Sequence, residues 1–83
     1  MSREVEWTSP AARDLAALPD WRLAALVDAA VDRHAAEGIG FVLHVRVEDG
    51  PDEFRLLIPQ VRTYVLIRRT PTTLTVERVI YRP

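Results

Sequence analysis

Apolar positions recur along this chain with two different periods, and the change between them falls near residue 40. Residues 4–8 alternate polar and apolar, with Val5 and Trp7 on one side, which predicts a short strand. Thr8-Ser9-Pro10 then supplies a hydroxyl cap followed by a proline suited to a first helical turn. A first helix is predicted over residues 10–18, with Ala11, Leu15 and Leu18 as its apolar stripe and Pro19 as its stop. Asp20 caps a second helix over residues 21–37. Leu23, Val27, Ala30, Val31 and His34 fall on one side of it, and Arg22, Asp28, Asp32 and Arg33 mostly on the other. Gly38 and Gly40 end it.

Beyond Gly40 the period becomes two. Phe41, Leu43, Val45 and Val47 alternate with Val42, His44, Arg46 and Glu48, and Asp49-Gly50-Pro51-Asp52 is a turn signal. Further strands are predicted over residues 53–58, 62–69 and 73–81, broken at Pro59-Gln60 and at Thr70-Pro71-Thr72. The order β-α-α-β-β-β-β predicts an α+β fold. An N-terminal strand and an αα-hairpin pack on one face of a twisted antiparallel sheet, since neither layer can bury its apolar side alone. The stretch 41–47 is apolar and extended, and its expected place near a sheet edge would let it accept an added strand or a helix laid across it.

Composition narrows the function classes. At 83 residues the chain fits one domain, residues 1–83, and at 48% hydrophobic and 28% charged it has enough apolar surface to fold. The absence of cysteine rules out disulfides, thiolate catalysis and cysteine-held metals. No apolar run approaches the ~20 residues that span a bilayer, and residues 1–8 lack the apolar core of a signal peptide. A cytoplasmic location without membrane attachment is therefore expected. The net charge is −1, but its distribution is uneven. Residues 1–50 hold five Arg against nine Asp and Glu, and residues 51–83 hold six Arg against three. Every basic side chain apart from the two histidines is an arginine, the cation best shaped for bidentate phosphate contacts.

Several segments together resemble the RelE/ParE superfamily of toxins from bacterial type II toxin–antitoxin pairs. They are the strand ending in Trp7, the helix start Pro10-Ala11-Ala12-Arg13-Asp14-Leu15, and three C-terminal runs. Phe54-Arg55-Leu56 is similar to the family's Y-R-L strand, Val61-Arg62-Thr63-Tyr64-Val65 to its Y-R-V-x-Y strand, and Leu74-Thr75-Val76-Glu77-Arg78-Val79 to its L-x-V-x-x-V strand. Tyr81-Arg82 stands where the family often has a basic residue. The resemblance spans essentially the whole chain. It implies a cognate antitoxin as partner, in a hetero-oligomer. It also implies one of two targets: mRNA in the ribosomal A site, cut by a metal-independent endoribonuclease that inhibits translation, or DNA gyrase, inhibited without catalysis. A third reading is an interaction module that keeps the fold without the toxicity.

Metal-free RNA cleavage needs a base for the 2′-hydroxyl, cations for the charge growing on phosphate, and an acid for the leaving oxygen. The resemblance assigns the cationic role to Arg55, Arg62 and Arg82. Strand alternation sets Arg55 opposite Phe54, Leu56 and Ile58 and gives Arg62 the face of Tyr64, so an arginine patch on the open side of the sheet is expected. The plainer alternative is a set of solvated strand residues that discourage edge pairing. Tyr81 is a weaker candidate, and it or Tyr64 would supply the acid or base, although each also suits a packed or interface aromatic. Glu53 stands where the RelE branch often carries a second basic residue, and the near-neutral net charge is low for a ribosome-binding toxin. His34 reads as a partly buried structural residue, His44 as exposed and Asp52 as a turn cap. Neither histidine has a carboxylate at zinc-site spacing, and there is no Gly-rich phosphate loop, nucleophile elbow or Ser/His/Asp set, so no cofactor or metal is expected.

Overall fold

A computed structural model describes residues 2–83. The elements follow as β1 (Glu4–Trp7), α1 (Ser9–Ala16), α2 (Trp21–Glu37), β2 (Phe41–Val45), β3 (Glu53–Ile58), a 3₁₀ turn (Pro59–Val61), β4 (Thr63–Arg69) and β5 (Thr73–Tyr81). The predicted caps form. Thr8 Oγ1 accepts the Ala11 amide at 3.1 Å, and Asp20 Oδ1 accepts the Arg22 amide at 2.8 Å, so each satisfies an amide that the first helical turn leaves without a partner. Gly38 closes α2 in the left-handed region at φ 71°, its amide donating to the His34 carbonyl.

The sheet has five strands in the order β1-β5-β4-β3-β2. Its four C-terminal strands form an antiparallel meander. The expectation of a wholly antiparallel sheet is corrected at one edge: β1 runs parallel to β5, with Val5 opposite Leu74 and Trp7 opposite Val76, so the sheet is mixed. The reason is topological. The helical hairpin separates β1 from β2 and returns the chain at the far edge, leaving β1 to pair with the free side of the last strand. Period-two alternation fixes which face a residue takes, and it carries no information about a neighbour's direction.

One face of the sheet is sealed by the helices. Ala11, Val27, Val31 and Ala35 meet Leu56, Ile58, Val65, Ile67, Leu74, Val76 and Val79, all buried. His34 belongs to this layer. It is buried, its Nδ1 lies 3.2 Å from the Ile39 carbonyl, and desolvation pushes its pKa below the usual histidine value, a shift the Ile39 carbonyl partly opposes. Gly40, at φ 127°, lets the chain pass close over the core, where a Cβ would lie 2.8 Å from Leu56 Cδ1.

A β-bulge interrupts the β4–β5 ladder. Leu66 pairs with Arg78 and Ile67 with Val76, which leaves Glu77 as the extra residue. The bulge is tied to the N-terminal part of the chain. Thr8 Oγ1 donates to the Glu77 carbonyl at 2.9 Å. The Asp14 carboxylate of α1 accepts from Arg78 Nε at 2.7 Å, Arg78 Nη2 at 3.1 Å and the Val79 amide at 3.0 Å.

Candidate functional site

Because Leu56, Ile58, Val65 and Ile67 point under the helices, the residues between them point the other way. Glu53, Arg55 and Leu57 of β3 lie beside Tyr64 and Leu66 of β4, with Leu57 opposite Tyr64 and Arg55 opposite Leu66. On one flank β2 adds Phe41, Leu43 and Val45, opposite Leu57, Arg55 and Glu53. On the other, Ile80 of β5 sits opposite Tyr64. The open face is therefore an apolar strip with Arg55 and Tyr64 near its middle.

The expected site residues fall as follows. The Arg55 guanidinium lies 4.8 Å from the centroid of the Tyr64 ring, a cation–π contact. Its Nε and Nη2 both donate to Glu53 Oε1, at 3.2 and 2.9 Å. Arg62 is not part of β4. It closes the 3₁₀ turn at φ 51°, a left-handed conformation rare for a residue with a Cβ, because its amide donates to the Pro59 carbonyl at 3.1 Å. Strand alternation therefore does not reach it, and the expectation that it shares a face with Tyr64 by periodicity loses its basis. What the structure brings together is Arg62 and Arg82: the Arg82 amide donates to the Arg62 carbonyl at 2.8 Å. Both are exposed and, among the described residues, neither makes an ion pair. They stand two residues beyond the Tyr64–Ile80 pair, just past Thr63 and Tyr81, at that end of the sheet. Tyr81 pairs with the buried Thr63 and so alternates to the helix-covered side, away from Tyr64.

Other groups come together without having been foreseen. His44 stacks on Phe54, with ring centroids 4.6 Å apart, and its Nε2 lies 2.7 Å from Asp52 Oδ2, so Asp52 is a histidine partner. Only the period-two spacing of Glu53 and Arg55 hinted at their pairing; nothing local signals the contacts from Asp14 to Arg78, 64 residues apart. Towards the end of the sheet away from Arg62 and Arg82 lies an open cleft of about 600 Å³ between the β2–β3 turn, the start of α1 and the bulge. Its charged groups are all engaged: Asp52 with His44, Glu53 with Arg55, Glu77 with Arg68 and Arg78 with Asp14. Among the described residues, no group of three or more His, Asp or Glu is placed to hold a metal ion.

No protein-family model and no curated protein matches the chain. A solved structure does. With a TM-score of 0.76 and 28% identity, 99% of this chain aligns with 100% of a chain in the crystal structure of the toxin–antitoxin complex RelBE2 from Mycobacterium tuberculosis. The chain has a RelE-type toxin fold. In this RelE-type fold the helical hairpin seals one face of the sheet, and the candidate residues Arg55 and Tyr64 occupy the other, with Arg62 and Arg82 at its end.

Proposed function

We propose that this chain is the toxin component of a bacterial type II toxin–antitoxin pair, and that it cleaves ribosome-bound mRNA with phosphate held on the open sheet face. The observation that carries the reading is that Arg62 and Arg82, joined by a backbone hydrogen bond and without an ion pair among the described residues, lie at the end of the face where Arg55 lies over Tyr64. In such a reaction the 2′-hydroxyl attacks the adjacent phosphorus, the 5′-oxygen leaves with a proton, and negative charge grows on the phosphoryl oxygens. Arginine can neutralise that charge through paired N–H donors and is too weak an acid to act as the base. Of the two tyrosines, Tyr64, beside Arg55, is the one we assign the acid or base role, since Tyr81 lies on the opposite side of the sheet.

An antitoxin partner fits the uncovered apolar surface. Ile39, Phe41, Leu43 and Val47 are each more than a third exposed along and beside the edge strand β2. That apolar strip also favours a second reading, a non-enzymatic DNA gyrase inhibitor, because a protein target suits it better than a phosphate backbone does.

Expression of the chain alone, followed by primer extension on a reporter mRNA, tests the choice. The expected result is growth arrest with cuts at A-site codons that weaken by about 10²–10³ in Arg62→Ala, the usual scale for losing one charge-stabilising group. Arrest with DNA damage and no cuts would select the gyrase reading, and unimpaired growth would refute both.

A further inference from the structure

Of the three candidate arginines, Arg55 differs from the others: its guanidinium is already occupied. Glu53, two residues earlier on β3, takes two of its N–H donors on one carboxylate oxygen, and the Tyr64 ring covers one of its planar faces. Leu43 and Leu66 flank it on the neighbouring strands. Both partners are about two-thirds covered, with 30% of the Arg55 side chain and 34% of the Glu53 side chain exposed. A carboxylate on a guanidinium fork occupies the place a phosphate would take. We infer that Glu53 is an internal occupant of the Arg55 anion site and gates it, so that an incoming phosphate binds Arg55 only by displacing the Glu53 side chain.

This rests on reading the open face as an anion site. It adds that the three cations are inequivalent. Arg62 and Arg82 meet an anion first, and Arg55 joins after Glu53 has swung away. The displacement is feasible because the pair is partly solvated. For a pair of this exposure, with two donors engaged and the Tyr64 ring as cover, the gate costs roughly three- to tenfold in anion affinity at Arg55. Its effect is selectivity. A weakly held or isolated anion leaves the carboxylate in place, and a polyanion anchored at Arg62 and Arg82 brings a second phosphate to Arg55 at high local concentration.

The test is an NMR titration of the isotope-labelled chain with inorganic phosphate at constant ionic strength, following the Nε–Hε signals of the three arginines. Comparing the wild-type chain with Glu53→Gln, the Arg55 midpoint should fall about three- to tenfold on substitution, while the Arg62 and Arg82 midpoints stay unchanged. An Arg55 midpoint equal in the two proteins overturns the gate. So does an Arg55 signal that ignores phosphate in Glu53→Gln while Arg62 and Arg82 respond, although the open face then survives as an anion site. If none of the three arginines responds in either protein, the phosphate-binding reading falls together with the gate. Should Glu53→Gln lose its native amide spectrum, Glu53→Thr makes the same comparison with a strand-favouring neutral residue.

Discussion

Removing the Asp14 carboxylate should cost this small fold a sizeable part of its stability. The carboxylate is only 20% exposed and accepts three donors: the Nε and Nη2 of Arg78 and the Val79 amide beside the bulge. In Asp14→Ala the Val79 amide loses its partner in a part-buried position, a loss worth about 1–2 kcal/mol. The Arg78 guanidinium is solvated and screened, so its share is small. A total near 1.5 kcal/mol is a large fraction of the roughly 4–12 kcal/mol expected for a chain of this size. It corresponds to a melting temperature about 6–12 °C lower and, for a urea dependence near 1 kcal/mol/M, to a midpoint about 1.5 M lower. The Arg78 hydrogen bonds, with help from the Val79 amide, hold the Asp14 carboxyl below its usual pKa of 3.8 against the opposing effect of burial. A depressed carboxylate adds stability that is complete well above that value and is lost as pH falls through the folded-state pKa. The difference between wild type and Asp14→Asn should therefore be constant above about pH 5 and close as pH falls below about 4. Urea unfolding across this range is the assay. A wild-type midpoint in Asp14→Ala, or a difference from Asp14→Asn that stays level or widens as pH falls below about 4, would refute the assignment. Erasure of the difference by 0.5 M salt would move the energy from the amide to the ion pair.

Two other outcomes follow from single side chains. His34 is buried with its pKa lowered chiefly by desolvation, so the unfolded chain takes up a proton at a pH where the folded chain does not. Stability, measured by urea unfolding, should therefore decline as pH falls below 6.5, by at most about 1.4 kcal/mol per pH unit. His34→Gln should remove that slope, and a wild-type stability that stays level or rises from pH 7 to 5.5 would contradict it. Arg62 holds φ 51° despite its Cβ. Arg62→Gly should thus be more stable than Arg62→Ala by about 1 kcal/mol in thermal melts, although both lose the same guanidinium; a more stable Ala variant would refute the strain.

Local chemistry made most of the fold legible in the sequence. Thr8 and Asp20 cap the helices as their side chains dictate, Gly38 ends α2, and β3 and β5 keep the limits their alternation sets. The misplacements arise where the deciding partner is remote. Helix α1 ends at Ala16, two residues earlier than its apolar stripe suggested, and β2 stops at Val45 because β3 offers no partner beyond Glu53. The parallel β1–β5 pairing joins segments about 70 residues apart, and the bulge at Glu77 is tied to Thr8 across a separation of 69 residues. At the candidate site, alternation placed Arg55 on the open face, but it was not carried through to Tyr81, which the β4–β5 register sets on the opposite side from Tyr64; nor did alternation hold everywhere. It failed for Arg62 because a 3₁₀ turn, closed by the Pro59 carbonyl, replaces the first residue of the expected strand.

The division of labour between the two faces explains why one end of this sheet can carry function without loosening the core. Every second residue of β3 and β4 is committed to the helix layer, so the remainder can be changed with little effect on packing. The open residues are not a typical solvated face, however. Phe41 and Leu43 lie exposed on β2, an edge strand that has neither proline nor lysine to discourage pairing. Sheet edges left in that state recruit other strands. An apolar, unguarded edge running alongside Arg55 is what a surface needs if it is to be covered in one state and free in another. A partner that covers β2 would bury Leu43, the neighbour of Arg55, and so would sit against the Glu53–Arg55 pair. A partner lying along that edge would thus reach the central arginine by position alone, with no change in the fold.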